Sequence, residues 1–136
     1  SAESIKRYQN RISGPLLDRI DLHIDVPPLK AQELQDSQPV EDSATVRERV
    51  IQAFNFQIER QAGLNHALSP KDLEVHVVLD DTSKKMIEMA QQRLNLSARA
   101  YHRILRVSRT IADLAQSEEI QSSHLTEALS YRGTQS

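Results

Sequence analysis

From position 43 onward, apolar residues recur three and four apart, the period of helices that each bury one face. Thr45 with Glu48 makes a capping-box pattern, Ser43 is a competing cap, and Val46, Val50, Ala53, Phe54 and Ile58 then predict a long helix reaching Gly63. Asp80 or Asp81 opens another, whose Met86, Ile87, Ala90 and Leu94 face inward. Ser97 caps a further helix from about Ala98 to Ala115, and Ser122 or Ser123 starts the last, with Leu125, Ala128 and Leu129 as its apolar face. The expected architecture of residues 44–136 is therefore mainly α, a bundle of four main helices. Ser69-Pro70 reads as a cap followed by a first-turn proline, which favours a short extra helix near 69 to 76; a strand over 73 to 79 is the alternative.

The first forty residues follow a different pattern. Ile5, Tyr8 and Ile12 predict a short helix over 3 to 12, stopped by Ser13-Gly14-Pro15. In Ile20-Asp21-Leu22-His23-Ile24-Asp25-Val26 apolar and polar residues alternate strictly, the pattern of a strand, and Pro27-Pro28 ends it. A lone strand leaves its backbone groups without partners. The expectation is an orphan strand of a sheet lying outside this chain, with an exposed edge able to pair with a second copy. Residues 27 to 43 hold three of the five prolines and few large apolar groups, and read as a flexible linker. The predicted organisation is a short N-terminal segment, 1–26, a linker, 27–43, and a helical domain, 44–136.

Composition narrows the chemistry. The core has to be aliphatic, because aromatic residues make up only 4% of the chain and Trp is absent. No apolar run approaches the ~20 residues of a membrane-spanning helix, and the first residues lack the apolar core of a secretory leader, so a cytoplasmic protein with no membrane partner is expected. The absence of Cys removes disulfides, thiolate catalysis and Cys-ligated zinc. With three glycines, Gly14, Gly63 and Gly133, neither a GxxxxGK phosphate loop nor a GxGxxG turn is present, and no GxSxG elbow occurs. Asp21, His23 and Asp25 share one face of the predicted strand, but alternate strand residues lie ~6 to 7 Å apart, while ligands converge to ~2 to 2.5 Å from one ion, so no metal site is expected.

The formal net charge of -2 hides a segregation. Asp18 to Glu48 holds eight acids against three bases, whereas Lys84 to Arg109 holds seven bases and one acid. Within the basic stretch, Arg99, Arg103, Arg106 and Arg109 fall opposite the core-facing positions Tyr101, Ile104, Leu105, Ser108, Ile111, Ala112 and Ala115, with Asp113 as the only local relief. Forked guanidiniums suit phosphate; the plainer reading is a solvated helix face. Arg99 differs by lying in the first turn. By spacing alone Arg19 is a surface residue beside Asp18 and Asp21, in an ion pair of little weight.

Two segments, ISGPLLDRIDLHIDVP (12 to 27) and LSARAYHRILRVSRTIADLA (96 to 115), closely resemble the C-terminal part of the ComM/YifB family of magnesium-chelatase-like AAA+ ATPases, and SEEIQSSHLTEALSYR (117 to 132) extends the match. The resemblance implies that the chain joins the end of an ATPase core to the C-terminal helical lid, the nucleotide-binding motifs lying upstream. Pro15-Leu16-Leu17-Asp18-Arg19 is similar to the arginine-finger context of related helicases such as the minichromosome maintenance proteins, which would make Arg19 a finger acting in trans on the ATP of a neighbouring subunit. Ser97-Ala98-Arg99 is similar to the opening of the lid helix that carries sensor 2, which would make Arg99 the residue contacting the γ-phosphate in cis. Arg103, Arg106 and Arg109 would serve DNA or a subunit interface.

The family further implies ATP and Mg2+ as cofactors of the parent protein, none held tightly by this chain alone. Its implied partners are its own N-terminal AAA+ core, neighbours in a homo-hexamer, and DNA undergoing branch migration during natural transformation. Two other classes compete: a non-enzymatic helical module binding DNA or protein through the arginine stripe, and the ATPase subunit of a metal chelatase.

Overall fold

A computed structural model describes residues 1–36 and 39–132 of the chain. Among the described residues eight α-helices follow one another: α1 (Ala2–Gln9), α2 (Gly14–Asp18), α3 (Ala31–Gln35), α4 (Ser43–Gln61), α5 (Pro70–His76), α6 (Asp81–Leu94), α7 (Ala98–Leu114) and α8 (Ser122–Ser130), with a 3-10 turn at Asn65–Ala67. The mainly helical fold expected from the spacing is present, with α4, α6, α7 and α8 as the main helices and α5 as the short one.

Local chemistry explains where these helices begin. Ser69 accepts from the Asp72 N–H at 3.1 Å while Asp72 accepts from the Ser69 N–H at 3.0 Å, a reciprocal box around Pro70 that settles the ambiguous segment as helix. Asp80 caps α6 through the Ser83 N–H at 2.7 Å, and Ser97 caps α7 through the Ala100 N–H at 3.1 Å. At α4 the cap is Asp42, ahead of both Thr45 and the competing Ser43, because its carboxylate takes both the N–H and the hydroxyl of Thr45 at 2.8 and 2.6 Å. The helix ends at Ala62, which adopts a left-handed φ of 57°, one residue before Gly63.

The core is aliphatic. Leu68, Leu73, Val77, Ile87, Ile104, Leu105, Ala112, Ile120, Leu125 and Ala128 form one buried cluster, with α7 packed against α8, α4 and α5. The stripe read on α7 is largely correct, since Ile104, Leu105, Ser108 and Ala112 are buried and Tyr101 and Ile111 half-buried, although Ala115 is exposed. On α4 the apolar positions do not form the inner face: Val46, Val50, Phe54 and Ile58 are exposed, and Ala53 and Gln57 are its buried residues.

Two expectations about the N-terminal third need correction. Residues 20 to 26 carry no regular secondary structure and form no strand, and the one β-type pairing among the described residues is an isolated parallel bridge between Leu79 and Ile120. Alternation supplies a two-faced segment, but a strand exists only through a neighbour's ladder, and here, among the described residues, the one backbone hydrogen bond to a distant element is the His23 N–H donating to the Tyr131 carbonyl at 2.7 Å. The stretch read as a stop at Ser13-Gly14-Pro15 instead starts α2, Ser13 accepting from the Leu16 N–H at 3.3 Å and Pro15 occupying the first turn. Within 27–43, Ala31–Gln35 forms a turn and a half of helix, and Ser37 and Gln38 of the predicted linker lie outside the described residues.

Candidate functional site

α2 is only five residues long and buries none of them, so Arg19 stands at its end as an exposed residue, its N–H bonded to the Leu16 carbonyl at 3.0 Å. Among the described residues its guanidinium has no ion-pair or side-chain hydrogen-bond partner. The expected pairing of Arg19 with Asp18 or Asp21 is therefore not what forms. Those carboxylates turn to α7 instead.

Arg99, in the first turn of α7 just past the Ser97 cap, lies 3.8 Å from an oxygen of Asp18 and keeps 55% of its side chain exposed. One turn later Arg103 reaches the same segment. Its Nε is 3.2 Å from Asp21 Oδ1, and its Nη2 donates to the Asp18 backbone carbonyl and lies 3.9 Å from Asp18 Oδ1. Arg103 is only 17% exposed and lines a narrow cleft with Asp21, Leu96, Ala100, Ile104, Val107, Ala128 and Arg132. The two arginines singled out in the sequence thus belong to one locale: Asp18 touches Arg99 and is followed directly by Arg19.

The rest of the arginine stripe is not a free cationic face. Arg106 donates from Nε to the Leu68 carbonyl at 2.9 Å. Arg109 is 3% exposed and turned inward: its Nε is 3.2 Å from Asp113 Oδ1, and its two terminal nitrogens donate to the Ser117 and Glu118 carbonyls at 2.7 and 2.9 Å. Burial lowers its pKa from the ordinary guanidinium value, and the Asp113 charge opposes that shift. Arg109, expected with Arg103 and Arg106 to serve DNA or a subunit interface, here fastens the turn after α7 with its side chain.

Asp113 also receives Arg60 of α4, whose two terminal nitrogens donate to its carboxylate at 2.7 and 3.0 Å. Asn65 joins this network, donating to Asp113 at 2.9 Å and to the Thr110 hydroxyl at 3.0 Å, while the Gln57 side chain accepts the Asn65 N–H at 2.9 Å. Sequence reasoning missed Gln57, Arg60 and Asn65. The readable signal was Gln57 and Arg60, two polar residues three apart on one face of the helix.

For the candidate metal triad, Asp21 is engaged by Arg103 and the His23 backbone by Tyr131, and among the described residues no three His, Asp or Glu side chains come together in a metal-binding group. No helix among them is long and apolar enough to cross a membrane.

A helical bundle whose central helix carries two arginines against the N-terminal segment is the class that fold and geometry define. The comparisons make it specific. Residues 40–132 match the family described as magnesium chelatase, subunit ChlI C-terminal, and residues 1–34 match magnesium chelatase, subunit ChlI, so the chain belongs to the magnesium-chelatase-like ComM/YifB family. It is 48% identical over 133 residues to the competence protein ComM of Haemophilus influenzae, covering 97% of this chain and 26% of that protein. It is 42% identical over 131 residues to the uncharacterized proteins YifB of Salmonella typhimurium and of Escherichia coli, covering 96% of this chain and 26% of each. The chain thus spans about a quarter of the length of these relatives.

Proposed function

We propose that this chain is the C-terminal lid portion of a ring-forming AAA+ ATPase that acts on DNA, with Arg19 reaching the nucleotide of a neighbouring subunit and Arg99 the γ-phosphate held by its own core. The observation that carries the reading is the state of Arg19: an exposed guanidinium with no partner among the described residues, on a segment whose adjacent acids are drawn off to α7. An arginine left unpaired between two carboxylates is poised to meet an anion from elsewhere. Arg99 has a suitable setting too, since the start of a 17-residue helix favours negative charge and its contact with Asp18 is loose and half-exposed.

Both residues suit phosphate, which matches the forked donors of arginine. ATP, bound with Mg2+ by the upstream core, would supply the phosphoryl group. Arg19 would stabilise charge developing on it, a contribution of about 10³ to 10⁵ in rate for such fingers. Arg99, tied to the bundle, would register the γ-phosphate, so that its loss frees the lid to rotate against the core and advance DNA through a homo-hexamer. DNA branch migration is the work assigned to this cycle, in keeping with the competence named for the Haemophilus relative. A cytoplasmic location follows from it.

Replacing Arg19 by Ala in the full-length protein should abolish ATP turnover and leave ATP binding within about twofold; turnover close to that of the parent would refute the assignment. A second reading, ATP-driven metal insertion, is favoured only by the description of the matching family. Co-purification of a tetrapyrrole-binding partner with the full-length protein would support it. The non-enzymatic module loses ground, because Arg109 is buried and Arg103 and Arg106 are already engaged.

A further inference from the structure

We propose that Arg103 is the positioning residue for Arg19, so that the lid helix, and not the segment that carries the finger, sets where the finger points. The inference rests on the reading of Arg19 given above. Its observation is the way one guanidinium grips both sides of that residue: Arg103 donates to the Asp18 carbonyl immediately before Arg19 and lies 3.2 Å from the Asp21 carboxylate two residues after it. A planar fork holds two acceptors in fixed relation in a way that an ammonium cannot.

The segment has little else to define its shape. α2 buries no residue, the backbone beyond Arg19 has no strand partner among the described residues, and the other contacts that hold the segment there are the loose Asp18–Arg99 pair and the hydrogen bond from His23 to Tyr131. Arg103 is by contrast well anchored, because its stem lies in the cleft formed with Leu96, Ala100, Ile104 and Val107 and only 17% of the side chain remains exposed. Against a carboxylate as exposed as Asp21 the pair adds little stability. Its effect is geometric. Arg99 lies one turn earlier on the same helix and touches Asp18, so a rotation of α7 carries both the γ-phosphate contact and the finger with it.

The test is steady-state ATPase kinetics of full-length Arg103→Ala, Asp21→Asn, Arg19→Ala and the Arg19→Ala/Arg103→Ala double variant. A finger displaced by about an ångström predicts a fall in kcat of roughly 10- to 100-fold for Arg103→Ala, with KM for ATP within about twofold. The double variant should be no slower than Arg19→Ala alone. Asp21→Asn, which leaves the bundle untouched, should lower kcat in the same direction by less, and Arg103→Lys should restore only part of the activity lost in Arg103→Ala. An inactive Arg19→Ala beside an Arg103→Ala of normal kcat overturns the positioning role and leaves the finger assignment standing. Independent losses that multiply in the double variant overturn it as well. Normal turnover in Arg19→Ala overturns the function reading, and the positioning role with it.

Discussion

Arg60 on α4 and Asp113 near the end of α7, 53 positions apart, meet in a two-pronged ion pair at 2.7 and 3.0 Å. The same carboxylate faces the buried Arg109 at 3.2 Å, so one acid is shared by two guanidiniums and joins the first and third main helices of the bundle. Removing it strands a positive charge in the interior. Asp113→Ala should therefore lower the unfolding free energy by about 3 to 5 kcal/mol, the range for breaking a buried pair from one side. Urea denaturation of the 136-residue chain measures it, and a loss below about 1 kcal/mol would mean that the network relaxes or fills with water.

Aliphatic packing and apolar surface should separate just as clearly. Ile87 is 1% exposed and Phe54 47% exposed, although both occupy helical positions that read as inward-facing. Ile87→Ala should cost about 2 to 5 kcal/mol. Phe54→Ala should stay within about 0.5 kcal/mol in this chain, as surface changes do. Equal losses from the two would place the inner face of α4 where the apolar pattern alone puts it.

That contrast marks what was legible in the sequence. On α7 and α8 the buried apolar residues are those of the apolar period, because aliphatic packing decides those contacts, and the caps at Ser69, Asp80 and Ser97 were readable because capping is a short-range bargain between neighbours. α4 docks differently, through Gln57 and Arg60, whose partners Asn65 and Asp113 lie outside the helix where no local rule reaches them. The inward turn of Arg109 was not legible for the same reason: Asp113, four residues on, was visible, but the Ser117 and Glu118 carbonyls that hold the side chain there come together only once the turn after α7 has formed. The strand over 20 to 26 failed because its pattern describes a place in a sheet, and no sheet is present among the described residues. Of the proposed site, the identities of Arg19 and Arg99 came from resemblance, while their nearness through Asp18 is a product of the fold.

Acid should loosen two helix starts. The Thr45 hydroxyl, and then its backbone N–H, hold the Asp42 carboxyl below the usual carboxylate value, and the Ser69 hydroxyl and N–H do the same for Asp72. With the folded pKa below the unfolded value of about 3.9, the stabilisation is complete above that value and disappears as pH falls through the folded pKa. Urea midpoints measured from pH 6 to pH 2.5 should decline less steeply for an Asp42→Asn/Asp72→Asn variant than for the parent chain, since an amide can cap without titrating. Parallel declines would show that other carboxylates carry the acid response.

The central claim is that Arg19 acts on a nucleotide bound by its neighbour, and subunit mixing tests it most directly. Full-length Arg19→Ala, which keeps an intact nucleotide pocket, would be mixed with a full-length partner that has Arg19 but carries a disabled phosphate-binding lysine. Each is expected to be inactive alone, and ATPase activity is followed as the two are titrated against each other. The account predicts that turnover appears in the mixture and peaks near equal proportions. A mixture as inactive as its components, in rings shown to contain both subunits, would contradict it.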